Sequence, residues 1–146
     1  MSAELALVDT NVFVYSLYED SEHNAAAAAL LERAQNGEVT LAVTAQILAE
    51  VYAVITNPRR VTNPYSPAEA LDEIEKILAM RGLTLLSPPA DLLSRWLAIA
   101  RERLVRGGEI FDLQHAATML GNGVAKIYTY NPAHFLPLAG IEVLAP

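Results

Sequence analysis

The chain has 146 residues, the length of one domain, and 53 % of them are apolar, which supports a sizeable core and argues against disorder. The absence of cysteine excludes disulfides, thiolate zinc sites and a cysteine nucleophile together, and no apolar run approaches the roughly 20 residues that span a bilayer. The net charge of −7 is unlike the basic footprint of most nucleic-acid binders, but an acidic site that loads divalent cations presents a less negative face to phosphate.

The Met1-Ser2-Ala3-Glu4 start carries no basic region and no cleavage signal, so a cytoplasmic protein without a membrane segment is expected. Leu5-Ala6-Leu7-Val8 predicts a strand buried on both faces, ending at Asp9-Thr10-Asn11. Val12-Phe13-Val14-Tyr15 opens a short helix that Asp9, Thr10 or Asn11 can cap. Asn24 to Gln35 is an alanine-rich helix stopped at Asn36-Gly37, and Val39 to Val43 is the next strand. Thr44 caps a helix to about Thr56, stopped by Asn57-Pro58. After a loop, Ser66-Pro67-Ala68-Glu69 combines proline at N1 with glutamate at N3 and starts a helix to about Met80. Leu83 to Leu86 is a third strand, and Ala90 to about Arg103 a further helix. Gly107-Gly108 is a turn, Asp112 to Leu120 a helix, Lys126 to Thr129 a fourth strand, and Glu142 to Leu144 an edge strand. Alternating strands and helices predict a single α/β domain over residues 1–146, with a mostly parallel sheet of four to five strands covered on both faces.

In open α/β sheets, ligands bind beyond the carboxyl ends of the strands. Asp9 follows the first strand, Glu50 lies in the helix after the second, Asp112 is in the first turn of its helix, and Asn131 follows the fourth strand. Glu50 and Asp112 each fall about 40° outside the apolar stripe of their helix, at a core boundary. Taken singly, each acid has a structural explanation: Asp9 as an N-cap, Glu50 as a solvated helix residue, Asp112 as a complement to the helix dipole. Glu109 reads as a solvated N-terminal charge competing with Asp112. His115 lies opposite its helix's apolar stripe and reads as a surface or partner-facing residue. The three histidines, His23, His115 and His134, form no His-x-x-x-His pair, so any metal would be held mainly by oxygen.

Four segments carry a resemblance. Val8-Asp9-Thr10-Asn11-Val12 resembles the opening motif of PIN domains, and Ala45-Gln46-Ile47-Leu48-Ala49-Glu50-Val51-Tyr52 their second. Phe111-Asp112-Leu113-Gln114-His115-Ala116-Ala117 resembles the third and Tyr128-Thr129-Tyr130-Asn131-Pro132-Ala133-His134-Phe135 the fourth. The motifs stand in family order over nearly the whole chain. The resemblance implies a three-layer α/β/α fold and a Mg²⁺- or Mn²⁺-dependent ribonuclease similar to VapC toxins of toxin–antitoxin pairs. By that similarity Asp9, Glu50 and Asp112 are the catalytic metal ligands, Glu50 binding through water or accepting a proton. Thr10, Asn11 and Thr129 support the site. Many members carry aspartate at the position of Asn131, and some at that of His134; here Asn131 offers only a weak neutral ligand, which puts a second metal in doubt. Arg59, Arg60, Arg103 and Arg106 are candidate RNA phosphate contacts, though each also suits the end of a helix. The implied partners are RNA, a cognate antitoxin and a second copy of the chain. The competing reading is a catalytically weak PIN-like module that binds RNA or an antitoxin. A phosphoryl-transfer enzyme using Asp9 as nucleophile ranks below both: Asn11 stands where a haloacid-dehalogenase-like enzyme needs aspartate, and Lys126 begins a strand where a receiver domain needs a lysine at a strand's end.

Overall fold

A computed structural model describes residues 4–146; Met1 to Ala3, which bear on the expectation about targeting signals, lie outside them. Five strands, β1 (Ala6–Val8), β2 (Leu41–Thr44), β3 (Leu83–Leu86), β4 (Lys126–Tyr128) and β5 (Glu142–Leu144), align in the order β3-β2-β1-β4-β5. Every neighbouring pair is parallel, with Leu7 opposite both Ala42 and Ile127. Six α-helices connect them: α1 (Thr10–Leu17), α2 (Asn24–Gln35), α3 (Ala45–Ile55), α4 (Pro67–Leu78), α5 (Leu92–Arg103) and α6 (Glu109–Gly121). Helix α1 packs on α2 and α3, α3 on α4, and α5 on α6. β1 and β2 are buried at every residue, which is why their sequences are apolar runs without alternation. The expected parallel α/β architecture is therefore present, with β5 at an edge.

Local chemistry explains most boundaries. Among the three possible caps of α1, the Asp9 carboxylate accepts from the Thr10 backbone N–H at 2.8 Å. Thr44 Oγ1 accepts from Ile47 N–H at 3.1 Å, and Ser66 and Glu69 form a reciprocal capping box at the start of α4. Gly82 is required by space: a Cβ there would lie 2.5 Å from the carbonyl oxygens of Ala34 and Val39. Helix α6 begins at Glu109, three residues before the expected start, because the Gly107-Gly108 turn leads straight into it with Ile110 and Phe111 N–H bonded back to the two glycine carbonyls. β2 begins at Leu41 and α5 at Leu92, each two residues later than expected. Phe13 and Phe135 are the largest fully buried side chains, and they tie α1 and the segment after β4 into one core.

The chain passes from β1 outward to β2 and β3, then returns to the other side of β1 as β4 and β5. The strand order thus switches between β1 and β4, and a crevice opens at their carboxyl ends. Among the described residues, no helix is long and apolar enough to cross a membrane.

Candidate functional site

The crevice is a cleft of about 860 Å³ whose lining includes Asp9, Thr10, Asn11, Glu50, Asp112 and Asn131. Asp9 leaves β1 directly into it and is only 3 % exposed. Its second oxygen accepts from Thr129 Oγ1 at 2.7 Å, and Thr129 Oγ1 in turn accepts from Asn131 N–H at 3.0 Å. Asn11 Oδ1 accepts from Tyr130 N–H at 3.2 Å, which fastens the loop after β4 to the first turn of α1. These bonds fix Asp9 from both strands that flank the switch point.

Glu50 comes from the middle of α3. One of its oxygens accepts from Thr10 Oγ1 at 2.7 Å and lies 2.9 Å from His115 Nε2; the other accepts from Gln46 Nε2 at 3.3 Å. Asp112, in the first turn of α6, lies 2.5 Å from His134 Nδ1 through Oδ2, and His134 Nε2 is 3.4 Å from Glu109 Oε1. Ligand atoms of Asp9, Asp112 and His115 all lie within 4.8 Å of one another.

The electrostatics of these groups differ. Burial, and then the neighbouring Asp9 charge, push the Asp112 carboxyl above its ordinary value, against the opposing effect of His134. Burial also disfavours charge on Glu50, but the hydrogen bond and charge of His115, with help from Thr10 and Gln46, outweigh it and hold Glu50 below the usual carboxylate value. For His115, burial opposes protonation, and the Glu50 carboxylate overcomes that and raises it. Two crowded carboxylates, one of them penalised for its charge, with an imidazole beside them, form a donor set that a divalent cation would relieve and that suits such a cation.

Several sequence expectations need correction. His115 is neither at the surface nor partner-facing: it is 1 % exposed and bonded to Glu50. A single helical stripe fails here because α6 is covered on several sides, with Leu113, His115, Ala116, Ala117, Thr118 and Met119 all buried. The available signal was its position one turn after Asp112, where i and i+3 side chains share a surface. Glu109 is half-buried against His134 and is no free solvated charge. His134 is more than the replacement of an aspartate: it holds Asp112. Asn131 stands exposed on the cleft wall and is outside the close group of Asp9, Asp112 and His115. Of the four arginines, Arg60 lines the cleft. Arg59 is exposed beside it, Arg106 is exposed in the turn before α6, and Arg103 is half-buried with its Nε unpartnered among the described residues.

Comparison with known proteins places the chain in a family and a fold. A family model described as the PIN domain matches residues 6–136. Ribonuclease VapC24 of Mycobacterium tuberculosis is 34 % identical over 125 residues, covering 85 % of this chain and 84 % of that protein. VapC ribonuclease Mb2897 of Mycobacterium bovis is 32 % identical over 115 residues, covering 79 % and 78 %. Among solved structures, Mycobacterium tuberculosis VapC20, described as a sarcin-ricin loop cleaving toxin, superposes with a TM-score of 0.70 at 16 % identity, covering 98 % of this chain and 100 % of that one. VapBC2 from Rickettsia felis, bound to a DNA fragment from its promoter, gives 0.68 at 14 % identity, covering 97 % and 98 %.

Proposed function

The chain belongs to the PIN domain family, and we propose that it is a divalent-metal-dependent ribonuclease that acts as the toxin of a toxin–antitoxin pair. The observation that carries this reading is the meeting of Asp9 and Asp112, far apart in the sequence, in the lining of an open cleft beside Glu50 and His115. The names of the relatives support ribonuclease activity, and the VapBC complexes among the structural neighbours support an antitoxin as partner.

Asp9 and Asp112 would hold a Mg²⁺ or Mn²⁺ ion, with Glu50 at its periphery. When bound, the cation supplies activation of the attacking water and charge neutralisation on the phosphoryl oxygens. The chain's own groups do the rest. Thr129 and the α1 N-terminus orient Asp9, so its ligand geometry is set before substrate arrives. Glu50, held ionised by His115 and Thr10, is placed to accept a proton from the water. His134 bridges Asp112 and Glu109, limiting the motion of Asp112. Arg60 at the cleft wall is the arginine best placed for an RNA phosphate. A purified preparation should cleave RNA with added Mg²⁺ or Mn²⁺ and stop in excess EDTA; undiminished cleavage in EDTA would overturn the reading.

Two further outcomes are expected. Cation at about 100 times its Kd should stabilise the fold by about 2.7 kcal/mol, a rise in melting temperature of roughly 5–10 °C by scanning calorimetry, because it binds the folded state, where Asp9 and Asp112 meet, and not the unfolded chain. No shift with either cation would count against the centre. Arg60→Ala should weaken RNA binding several-fold at low salt and lower the slope of log K against log[salt] by roughly one, since a phosphate contact is lost. An unchanged slope in filter-binding titrations would remove Arg60 from the interface.

The exposed, neutral Asn131 is the observation that favours the second reading, a PIN-like module that binds without efficient cleavage. Calorimetric titration with Mn²⁺ separates the two, since a pure binding module needs no metal. An antitoxin that covers the cleft and a second copy of the chain complete the proposed assembly.

A further inference from the structure

His115 is the most deeply buried ionisable side chain at the site, and only one of its two ring nitrogens has a partner among the described residues. Nε2 lies 2.9 Å from Glu50 Oε2. An ionised carboxylate can only accept, so the proton of that bond sits on Nε2. Nδ1 is shut off from solvent and has no hydrogen-bond partner among the described residues. A buried polar atom left unpaired is uncommon and costly, and proteins often relieve that cost with a bound ion. At the same time His115 offers a ligand nitrogen within 4.8 Å of oxygens of Asp9 and Asp112. With Nε2 committed to Glu50, Nδ1 is the nitrogen left to a metal, which would take the place of any proton there.

We infer that His115 ligates the metal centre through Nδ1, beside Asp9 and Asp112, and that the centre for this reason selects Mn²⁺ over Mg²⁺. The inference rests on the proposed metal-dependent function and specifies its cation. The arrangement is the one that metal-bound histidines adopt, with one nitrogen on the metal and the other donating to a carboxylate that fixes the ring. Glu50 is that carboxylate, itself steadied by Thr10 and Gln46. Its place is then behind the ligand and not on the metal, in keeping with its absence from the close group of three. Selectivity follows from ligand chemistry. Mg²⁺ is confined to oxygen donors and sheds water reluctantly, whereas imidazole suits first-row transition ions.

The test is pulsed electron paramagnetic resonance of the full chain loaded with Mn²⁺, with calorimetry in parallel. The expected spectrum shows ¹⁴N modulation from a directly bound imidazole, replaced by the ¹⁵N pattern when only histidine is labelled. The modulation should survive His134→Gln and His23→Gln and vanish in His115→Leu. Calorimetry should show Mn²⁺ binding at least about tenfold tighter than Mg²⁺, and His115→Leu losing no less than the roughly 10–100-fold in Mn²⁺ affinity that loss of an outer-shell partner costs, with little change for Mg²⁺. Should His115→Leu fail to fold, persistence of the ¹⁵N signal in the other two histidine variants still assigns the ligand. Mn²⁺ binding without nitrogen modulation, or with modulation that survives His115→Leu, overturns His115 as ligand and leaves the metal-dependent ribonuclease standing. No Mn²⁺ or Mg²⁺ binding at all overturns both.

Discussion

Asp9→Asn is expected to lower metal-dependent RNA cleavage by at least about 10²–10³-fold while leaving the fold intact, the scale seen when one preorganised electrostatic group is removed from an active site. Asparagine caps a helix about as well as aspartate, so the bond from Thr10 N–H survives. The Thr129 hydroxyl, which donates to Asp9 now, can turn to accept from the new amide or keep donating to its oxygen. The substitution also removes the charge that, after burial, pushes the Asp112 carboxyl up, so the metal-free protein loses a repulsion. What goes is the negative charge on a side chain shared by the strand end and the cation. Cleavage of a labelled RNA, measured beside circular dichroism and a melting curve, separates the two effects. Wild-type cleavage by this variant would eliminate Asp9 as a ligand, and a collapsed spectrum would show that its structural bonds outweigh its chemistry.

How far the sequence reveals the molecule depends on the range of the interaction. Apolar runs such as Leu5 to Val8, the Ser66–Glu69 box and the Asn36-Gly37 stop are local, and each marks its element to within a few residues. Asp9 is legible twice over, as the residue after a buried strand and as part of a motif. Glu50 and Asp112 are placed by helix phase at the core boundary, and both line the cleft. The partners of those acids are not legible. His115 meets Glu50 across 65 residues and His134 meets Asp112 across 22, contacts made by the strand order and not by any spacing along the chain. Phase within one helix says which residues avoid the sheet, but not what another helix brings to the opposite side. For that reason the sequence alone presents His115 as exposed and Glu109 as solvated.

Glu50→Leu is expected to destabilise the metal-free protein by about 1–3 kcal/mol, because it leaves both nitrogens of buried His115 without a partner. The loss should be smaller in Glu50→Gln, whose amide oxygen can still accept from Nε2–H. The pair also fixes the pH dependence of the difference between wild type and Glu50→Leu. Glu50 is held below its ordinary value of 4.5, so its contribution is present above that pH and fades as pH falls through its lowered folded value. His115 is raised above its ordinary 6.5, so its contribution is full below that pH and fades as pH rises through its raised folded value. The stability increment is therefore greatest between pH 4.5 and 6.5 and declines on both sides. Asp112 carries the opposite sign: its raised value burdens the fold at neutral pH, and the burden lifts as pH falls towards 3.8. That burden is present in both proteins, so it largely cancels in the difference and the curve isolates the Glu50–His115 pair. Urea unfolding in EDTA between pH 4 and 9 gives this curve. A difference that does not change with pH would mean that neither group shifts the other, so that the pair is a hydrogen bond without charge coupling.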